Sequence, residues 1–173
     1  VVMDDINSDR SHPVFNNLFI KTEVYPEYET ILANRRARGD EQKSLWMVHS
    51  VKDKENEISG FHYETNRLNF IGRGRNIYDP IALEKGLTNS VGNVLDPIMS
   101  LSKRVKVKAG KSVEIYFLTG LCNSRDEAVK IAQKYRDDIN FGRAFDLAFT
   151  RSQTEIGYFN FNSRPCTFYN TCI

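Results

Sequence analysis

The stretch that decides the fold spans residues 64–120. It reads ETNRLNFIGRGR over residues 64–75 and, after a break, SVGNVLDPIMSLSKRVKVKAGKSVEIYFLTG over residues 90–120. An arginine-rich glycine turn leads to an Asp-Pro turn, and two alternating segments follow at residues 98–107 and 112–119. The turn Ala109-Gly110-Lys111 joins the two segments. The pattern predicts two connected strands of an antiparallel β-sandwich.

Alternating apolar and polar residues predict further strands on either side of this stretch. The clearest are residues 17–24, NLFIKTEV, and residues 45–51, LWMVHSV. Residues 61–65 and 68–71 are typical of short strands, and residues 30–33 fit a strand or a helical turn equally well.

The periodicity changes to helical after Gly120. Ser124 and Glu127 form an S-x-x-E capping box, and apolar residues then recur every three or four positions. A second helix is expected near residues 140–155, and a short helical turn at residues 80–84, with Asp79 as its N-cap. The predicted organisation is a β-sandwich over residues 1–121, linker helices over 122–156 and an irregular tail over 157–173.

The composition is that of a globular domain. The chain has 173 residues, of which 40% are hydrophobic and 27% charged, and a formal net charge of +2. This charge is too small to favour nucleic acid as a partner. No apolar run reaches the roughly 20 residues of a membrane span, and no signal peptide is visible, so a cytoplasmic location is expected. Cys122 is expected to be a small buried residue.

The Gly72–Arg75 turn is the first candidate site. It lacks the spacing of either nucleotide-binding signature. Arg73 and Arg75 on a glycine turn suit hydrogen bonding to an anion or to sugar hydroxyls. A turn with solvated or internally paired arginines is the competing interpretation.

Aromatic residues make up 12% of the chain. Most are expected to fill the core, among them Trp46, which alternates with Val48. Tyr63 and Tyr78, near the arginine turn, are the best candidates for a ring that stacks on a sugar. His49 is expected to be half-buried and hydrogen-bonded. The sequence predicts no metal site and no cofactor.

Catalytic residues are not recognisable. Glycoside hydrolysis needs two carboxylates across a cleft. Glu64 and Asp96 flank the loop region, but Asp96 before Pro97 suits a turn cap better.

Six blocks in order carry a resemblance to a known family. They cover residues 12–23 (HPVFNNLFIKTE), 32–38 (LANRRAR), 44–51 (SLWMVHSV), 64–75, 89–120 and 124–137 (SRDEAVKIAQKYRD). Together they resemble the β-sandwich domain of the glycosyltransferase family 36 group, now placed with glycoside hydrolase family 94. That group includes cellobiose and chitobiose phosphorylases and cyclic β-1,2-glucan synthases.

The resemblance implies part of a galactose mutarotase-like super-sandwich followed by linker helices. The family's catalytic residues lie in an (α/α) barrel that has no counterpart here, so none is carried over. It implies three kinds of partner: a β-glucan or oligosaccharide, the catalytic barrel of a parent protein, and a second copy in a homodimer.

Three functions follow as hypotheses. The first is a module that binds or positions a β-glucan. The second is an interface domain that packs on the barrel and mediates dimerisation, with an exposed apolar patch along its helices. The third is an autonomous glycosidase that uses Glu64 and Asp96.

Overall fold

The computed structural model describes residues 17–36, 44–54 and 60–158. Six strands lie in these ranges: Ile20–Tyr25 (β1), Thr30–Arg35 (β2), Trp46–Asp53 (β3), Phe61–Asn66 (β4), Pro97–Lys103 (β5) and Ile115–Cys122 (β6). The α-helices that lie wholly in these ranges are Arg67–Ile71 (α1), Ile81–Lys85 (α2), Arg125–Lys134 (α3) and Asp138–Tyr158 (α4). The predicted class is confirmed: the fold is mainly antiparallel β, followed by C-terminal helices.

The larger sheet has the order β1-β2-β3-β6, and every neighbouring pair is antiparallel. Alternation along the strands places Leu32 and Val48 opposite each other on one face. Helix α3 covers this face, where its Ala128 and Ala132 complete a buried cluster with Cys122. Small alanines let the helix approach the sheet closely, and Cys122 is a buried free thiol, as predicted.

The second sheet pairs β4 with β5 and lies against the opposite face of the first sheet. Thr22 of β1 donates a hydrogen bond to Thr65 of β4, with 2.9 Å between the two hydroxyl oxygens. Both side chains are buried. This bond therefore links the two sheets directly through side chains that have no access to water.

The two strands of the deciding stretch are connected in the chain but do not pair with each other. β5 pairs with β4, whereas β6 pairs with β3 in the other sheet. The connection between them crosses from one sheet to the other instead of forming a hairpin. Period-two alternation shows that a segment is a strand with one interior face, but it does not identify the neighbouring strand.

Residues 68–71 are helical, although the sequence pattern favoured a strand. The side chain of Asn66 accepts a hydrogen bond from the backbone N–H of Leu68, at 3.0 Å, and so caps α1. Gly72, with φ 85°, ends the helix after little more than one turn. The local cap overrides the short apolar alternation of this segment.

The other helices follow their sequence signals. Helix α2 begins one residue later than predicted, because Pro80 occupies the capping position. Helix α3 starts at the predicted cap: Ser124 Oγ accepts from Glu127 N–H at 3.1 Å, and the Glu127 carboxylate accepts from Asn123 N–H at 2.9 Å. Helix α4 extends three residues beyond the predicted end.

The chain divides into two compact units, residues 1–136 and 137–173. Helix α3 belongs to the first unit and α4 to the second. The boundaries expected at residues 121 and 156 stay predictions. Most of the expected tail, residues 159–173, lies outside the described residues.

A group of charged side chains ties together parts of the first unit. Lys103 of β5 contacts the Glu29 carboxylate at 2.8 Å and also pairs with Asp53 of β3. Arg136, which follows α3, contacts the same Glu29 carboxylate at 2.8 Å. Glu29 ends the turn between β1 and β2 in a left-handed conformation, φ 48°. The group joins both sheets to the end of the helical layer.

Candidate functional site

The arginine loop, defined as residues 72–80, connects α1 to α2. Gly72, the first residue of the loop, lies against Ile81, the first residue of α2. A Cβ atom on Gly72 would lie only 2.7 Å from Ile81 Cγ2, and the backbone there has φ 85° and ψ 157°. Only glycine adopts this backbone conformation without strain and leaves room for Ile81. Closing the loop therefore requires glycine at position 72.

Arg75 holds the loop in shape. Its guanidinium contacts the Glu84 carboxylate of α2 at 2.6 Å and the Asp79 carboxylate at 3.6 Å. Arg75 is therefore internally paired, in agreement with the competing interpretation of this turn. Arg73 is exposed on the same loop. The two arginines, equivalent in the sequence pattern, occupy different environments.

The two candidate tyrosines also differ. Tyr78 is 93% exposed, and its backbone N–H donates to the Asn76 side chain at 2.9 Å. Tyr63, in β4, is half-buried, and its ring lies 5.5 Å from the Phe61 ring, tilted by 35°. Within the described ranges, no hydrogen bond or ring contact joins Tyr63 to Arg73 or Tyr78. The structure thus places three of the four candidates on one loop and the fourth on β4, the strand that precedes α1.

The arginine loop and the two helices that flank it carry exposed apolar side chains, a feature that the sequence interpretation missed. The most exposed of them is Leu83 of α2, at 80%. The others are Leu68 of α1 and Ile77 in the loop. Residues 81–84 show an apolar pattern, but one helical turn is too short to indicate which side faces water.

Glu64 is a fully buried carboxylate in β4, with 0% exposure. It accepts hydrogen bonds from Asn66 N–H at 2.9 Å, from Thr88 N–H at 3.1 Å, from Thr88 Oγ1 at 2.5 Å and from Ser90 Oγ. Burial alone raises the pKa of Glu64, but the bonds from Ser90, Thr88 and Asn66 outweigh it, so the pKa is lowered.

A lowered pKa is the opposite of what a general acid for glycoside cleavage requires. Asp96, the second carboxylate considered, contacts the Arg67 guanidinium at 3.4 Å, and its backbone carbonyl accepts from Arg67 N–H at 2.9 Å. Both carboxylates hold the chain in place, and neither has the environment of a catalytic acid.

A cavity of about 330 Å³ lies in the first unit between the larger sheet and β5. Its lining is mostly apolar and includes Met47 and Met99. His49 also lines it, with Nδ1 2.8 Å from Thr119 Oγ1 and its ring stacked on Phe117 at 6.3 Å. Burial lowers the pKa of His49, and a hydrogen bond with the Leu118 backbone opposes this in part. His49 is half-buried and hydrogen-bonded, as predicted.

Residues 17–36, 44–54 and 60–158 contain no group of three His, Cys, Asp or Glu side chains arranged to hold a metal ion. None of the helices described in these ranges combines the length and apolar character that crossing a membrane requires.

Comparison with known proteins agrees with this architecture. The family model of the glycosyl hydrolase 94 supersandwich domain matches residues 1–138. The chain is also 31% identical, over 166 residues, to the cyclic beta-(1,2)-glucan synthase NdvB of Rhizobium meliloti (strain 1021). That alignment covers 95% of this chain and 6% of the relative, so the chain spans a small part of the relative's length. The resemblance noted in the sequence is confirmed: this chain belongs to the glycosyl hydrolase 94 supersandwich family.

Proposed function

We propose that this domain binds or positions a β-glucan and that catalysis takes place elsewhere in a larger protein. The observation that carries the proposal is the arginine loop: an exposed tyrosine ring and an exposed arginine lie on a loop that internal contacts hold in shape. A flat ring offers a stacking surface to a sugar, and a guanidinium offers several hydrogen-bond donors to hydroxyl groups.

Each candidate residue has a distinct role in this proposal. Arg73 donates to sugar hydroxyls and Tyr78 stacks on the ring. Arg75 donates as well, while its bonds to Glu84 and Asp79 keep the loop in place. Tyr63 supplies a second ring from β4. A loop that is already ordered loses less conformational entropy on binding than a mobile one.

The relative's name supplies the choice of probe. Since that relative is called a cyclic β-(1,2)-glucan synthase, a β-1,2-linked gluco-oligosaccharide is the first ligand to test. Calorimetric titration should detect binding to the unmodified domain. We expect the Arg73→Ala, Arg75→Ala double variant to bind at least about tenfold more weakly, a loss of about 1.4 kcal/mol.

The matched control is Arg143→Ala, which removes an exposed arginine from α4. This variant should bind like the unmodified domain. Equal affinity in the double variant, or no heat of binding in the unmodified domain, would refute the proposal.

A second candidate function is supported by α4. Among the large apolar side chains that this helix exposes are Phe145 and Phe149, at 66% and 68% exposure, and Ile139 and Leu147, which are similarly exposed. Such a surface suits an interface domain that packs on a catalytic (α/α) barrel and mediates dimerisation without binding sugar. Light scattering separates the two functions, because a strictly monomeric chain that binds glucan tightly argues against the interface role.

The barrel partner, the homodimer and the cytoplasmic location are parts of the proposal that rest on the family resemblance and on sequence composition. Cell fractionation of the native protein would test the location independently of sugar binding.

A further inference from the structure

One buried carboxylate joins the two ends of the segment that carries the arginine loop. This segment, residues 67–87, leaves β4 as α1 and returns after α2. Glu64 accepts from the N–H of Asn66, one residue before α1 begins, at 2.9 Å. It also accepts from the N–H and the hydroxyl of Thr88, three residues after α2 ends, at 3.1 and 2.5 Å. Both ends of the segment are therefore bound to a single side chain.

The chain that follows Thr88 is fixed by the same group of contacts. Ser90 Oγ donates to Glu64. Between Thr88 and Ser90, Asn89 takes up a left-handed conformation with φ 59°. Its N–H donates to Tyr63 O at 2.9 Å, and its side-chain oxygen accepts from Tyr63 N–H at 3.0 Å. Asn89 thus holds the backbone of Tyr63, and it lies between two residues that donate hydrogen bonds to Glu64.

The carboxylate is well suited to this position. An ionised carboxylate has about four lone-pair sites for hydrogen bonds, and Glu64 has four donors. All four donors are neutral, so the charge that strengthens each hydrogen bond is that of the carboxylate. A glutamine in its place would turn an N–H₂ group toward these donors and would leave at least one of them without an acceptor.

We propose that Glu64 is a positioning residue: by holding Asn66 and Thr88 together, it fixes the base of segment 67–87 and, with it, the placement of the arginine loop. The effect on sugar affinity rests on the proposed function. The effect on the order of the segment does not depend on sugar at all.

Amide hydrogen exchange on the unliganded domain tests the clamp with three variants. Glu64→Gln removes the charge, Thr88→Val removes one donor without changing the side-chain shape, and Thr88→Ser retains that donor. In Glu64→Gln and Thr88→Val we expect exchange within residues 67–87 to accelerate by about tenfold, the scale of one lost charge-assisted hydrogen bond. Acceleration in β2 and β3, which reports the accompanying loss of global stability, should not exceed that in residues 67–87. Thr88→Ser should behave like the unmodified domain.

The matched control is Glu114→Gln, which alters an exposed carboxylate paired with Lys54. Unchanged exchange in residues 67–87, or an acceleration in β2 and β3 that exceeds the one in residues 67–87 in Thr88→Val, would overturn the clamp. If Glu64→Gln does not fold, the comparison of Thr88→Val with Thr88→Ser decides alone.

Titration with β-1,2-gluco-oligosaccharide then separates the two proposals. Weaker binding by Thr88→Val than by Thr88→Ser supports the link between clamp and site, and equal binding contradicts it. No binding by the unmodified domain refutes the proposed function and leaves the exchange result to stand alone.

Discussion

Neutral donors, rather than a cation, stabilise the charge of Glu64. Because these bonds exist only in the folded protein, the pKa of Glu64 is lower in the folded state than in the unfolded chain. The unfolded chain therefore binds a proton more readily as the pH falls. The stabilisation by Glu64 is complete above the ordinary glutamate pKa, near 4.3, and is lost as the pH falls through the lowered value.

This linkage gives a pH-dependent prediction. At pH 7 the Glu64→Gln variant should have a lower free energy of unfolding by about 1–3 kcal/mol, the cost of unsatisfied buried donors. The difference from the unmodified domain should shrink below about pH 4.3, where the unfolded chain becomes protonated. Urea unfolding at pH 7 and at pH 3.5 measures both values. A difference that stays constant between the two would show that the charge of Glu64 does not contribute.

The sequence showed which residue types surround the site but not what they contact. Arg73 and Arg75 are alike in a glycine turn, and only the fold reveals that Arg75 meets Glu84, nine residues later. Glu64 likewise meets Thr88 and Ser90, which lie more than 20 residues away in the chain. Tyr78 was a candidate because it lies near the arginine turn in the sequence, and only the structure shows that its side chain is 93% exposed.

At the scale of elements, α1 and α2 are each too short to be stable alone and are held by their contact with one another. That contact depends on Gly72. We expect Gly72→Ala to lower the free energy of unfolding by about 3 kcal/mol, because about 1–3 kcal/mol of backbone strain adds to the clash with Ile81.

Gly74→Ala is the matched control for this change. Gly74 also has a positive φ, 76°, but no atom lies within 4 Å of the position of an added Cβ. Its replacement should cost only about 1–2 kcal/mol, the preference against left-handed backbone. Urea unfolding of both variants measures the difference. Equal losses would mean that the approach to Ile81 does not restrict residue 72.

The strands and the longer helices could be predicted from periodicity because each extends over several repeats. Helix α3 is the clearest example, since a capping box and an apolar stripe indicate the same start. The pairing of β5 and β6 was not predictable in this way. Their partners, β4 and β3, are separated from them in the chain, and tertiary packing selects them.

At the scale of the whole first unit, two separate groups of polar contacts join the sheets. One consists of Thr22, Thr65 and the chain near Gly92, whose N–H donates to Thr22 Oγ1 at 2.9 Å. The other is the set of ion pairs around Lys103 and Glu29. The first group adjoins Glu64, so the segment that carries the candidate site is anchored where the two sheets meet.

The family assignment and the fold agree with each other, and the proposed sugar site lies on the arginine loop of that fold. Two other described surfaces offer a place for a ligand or partner to bind. They are the exposed apolar side chains of α4 and the cavity beside His49. A measurement that reports every residue at once distinguishes these three places in one experiment.

The most direct such measurement is a titration of ¹⁵N-labelled domain with β-1,2-gluco-oligosaccharide, followed by amide chemical shifts. We expect saturable shift changes concentrated in residues 72–80 and at Tyr63. Changes centred on Met47, His49 and Met99, or no change at millimolar sugar, would contradict it.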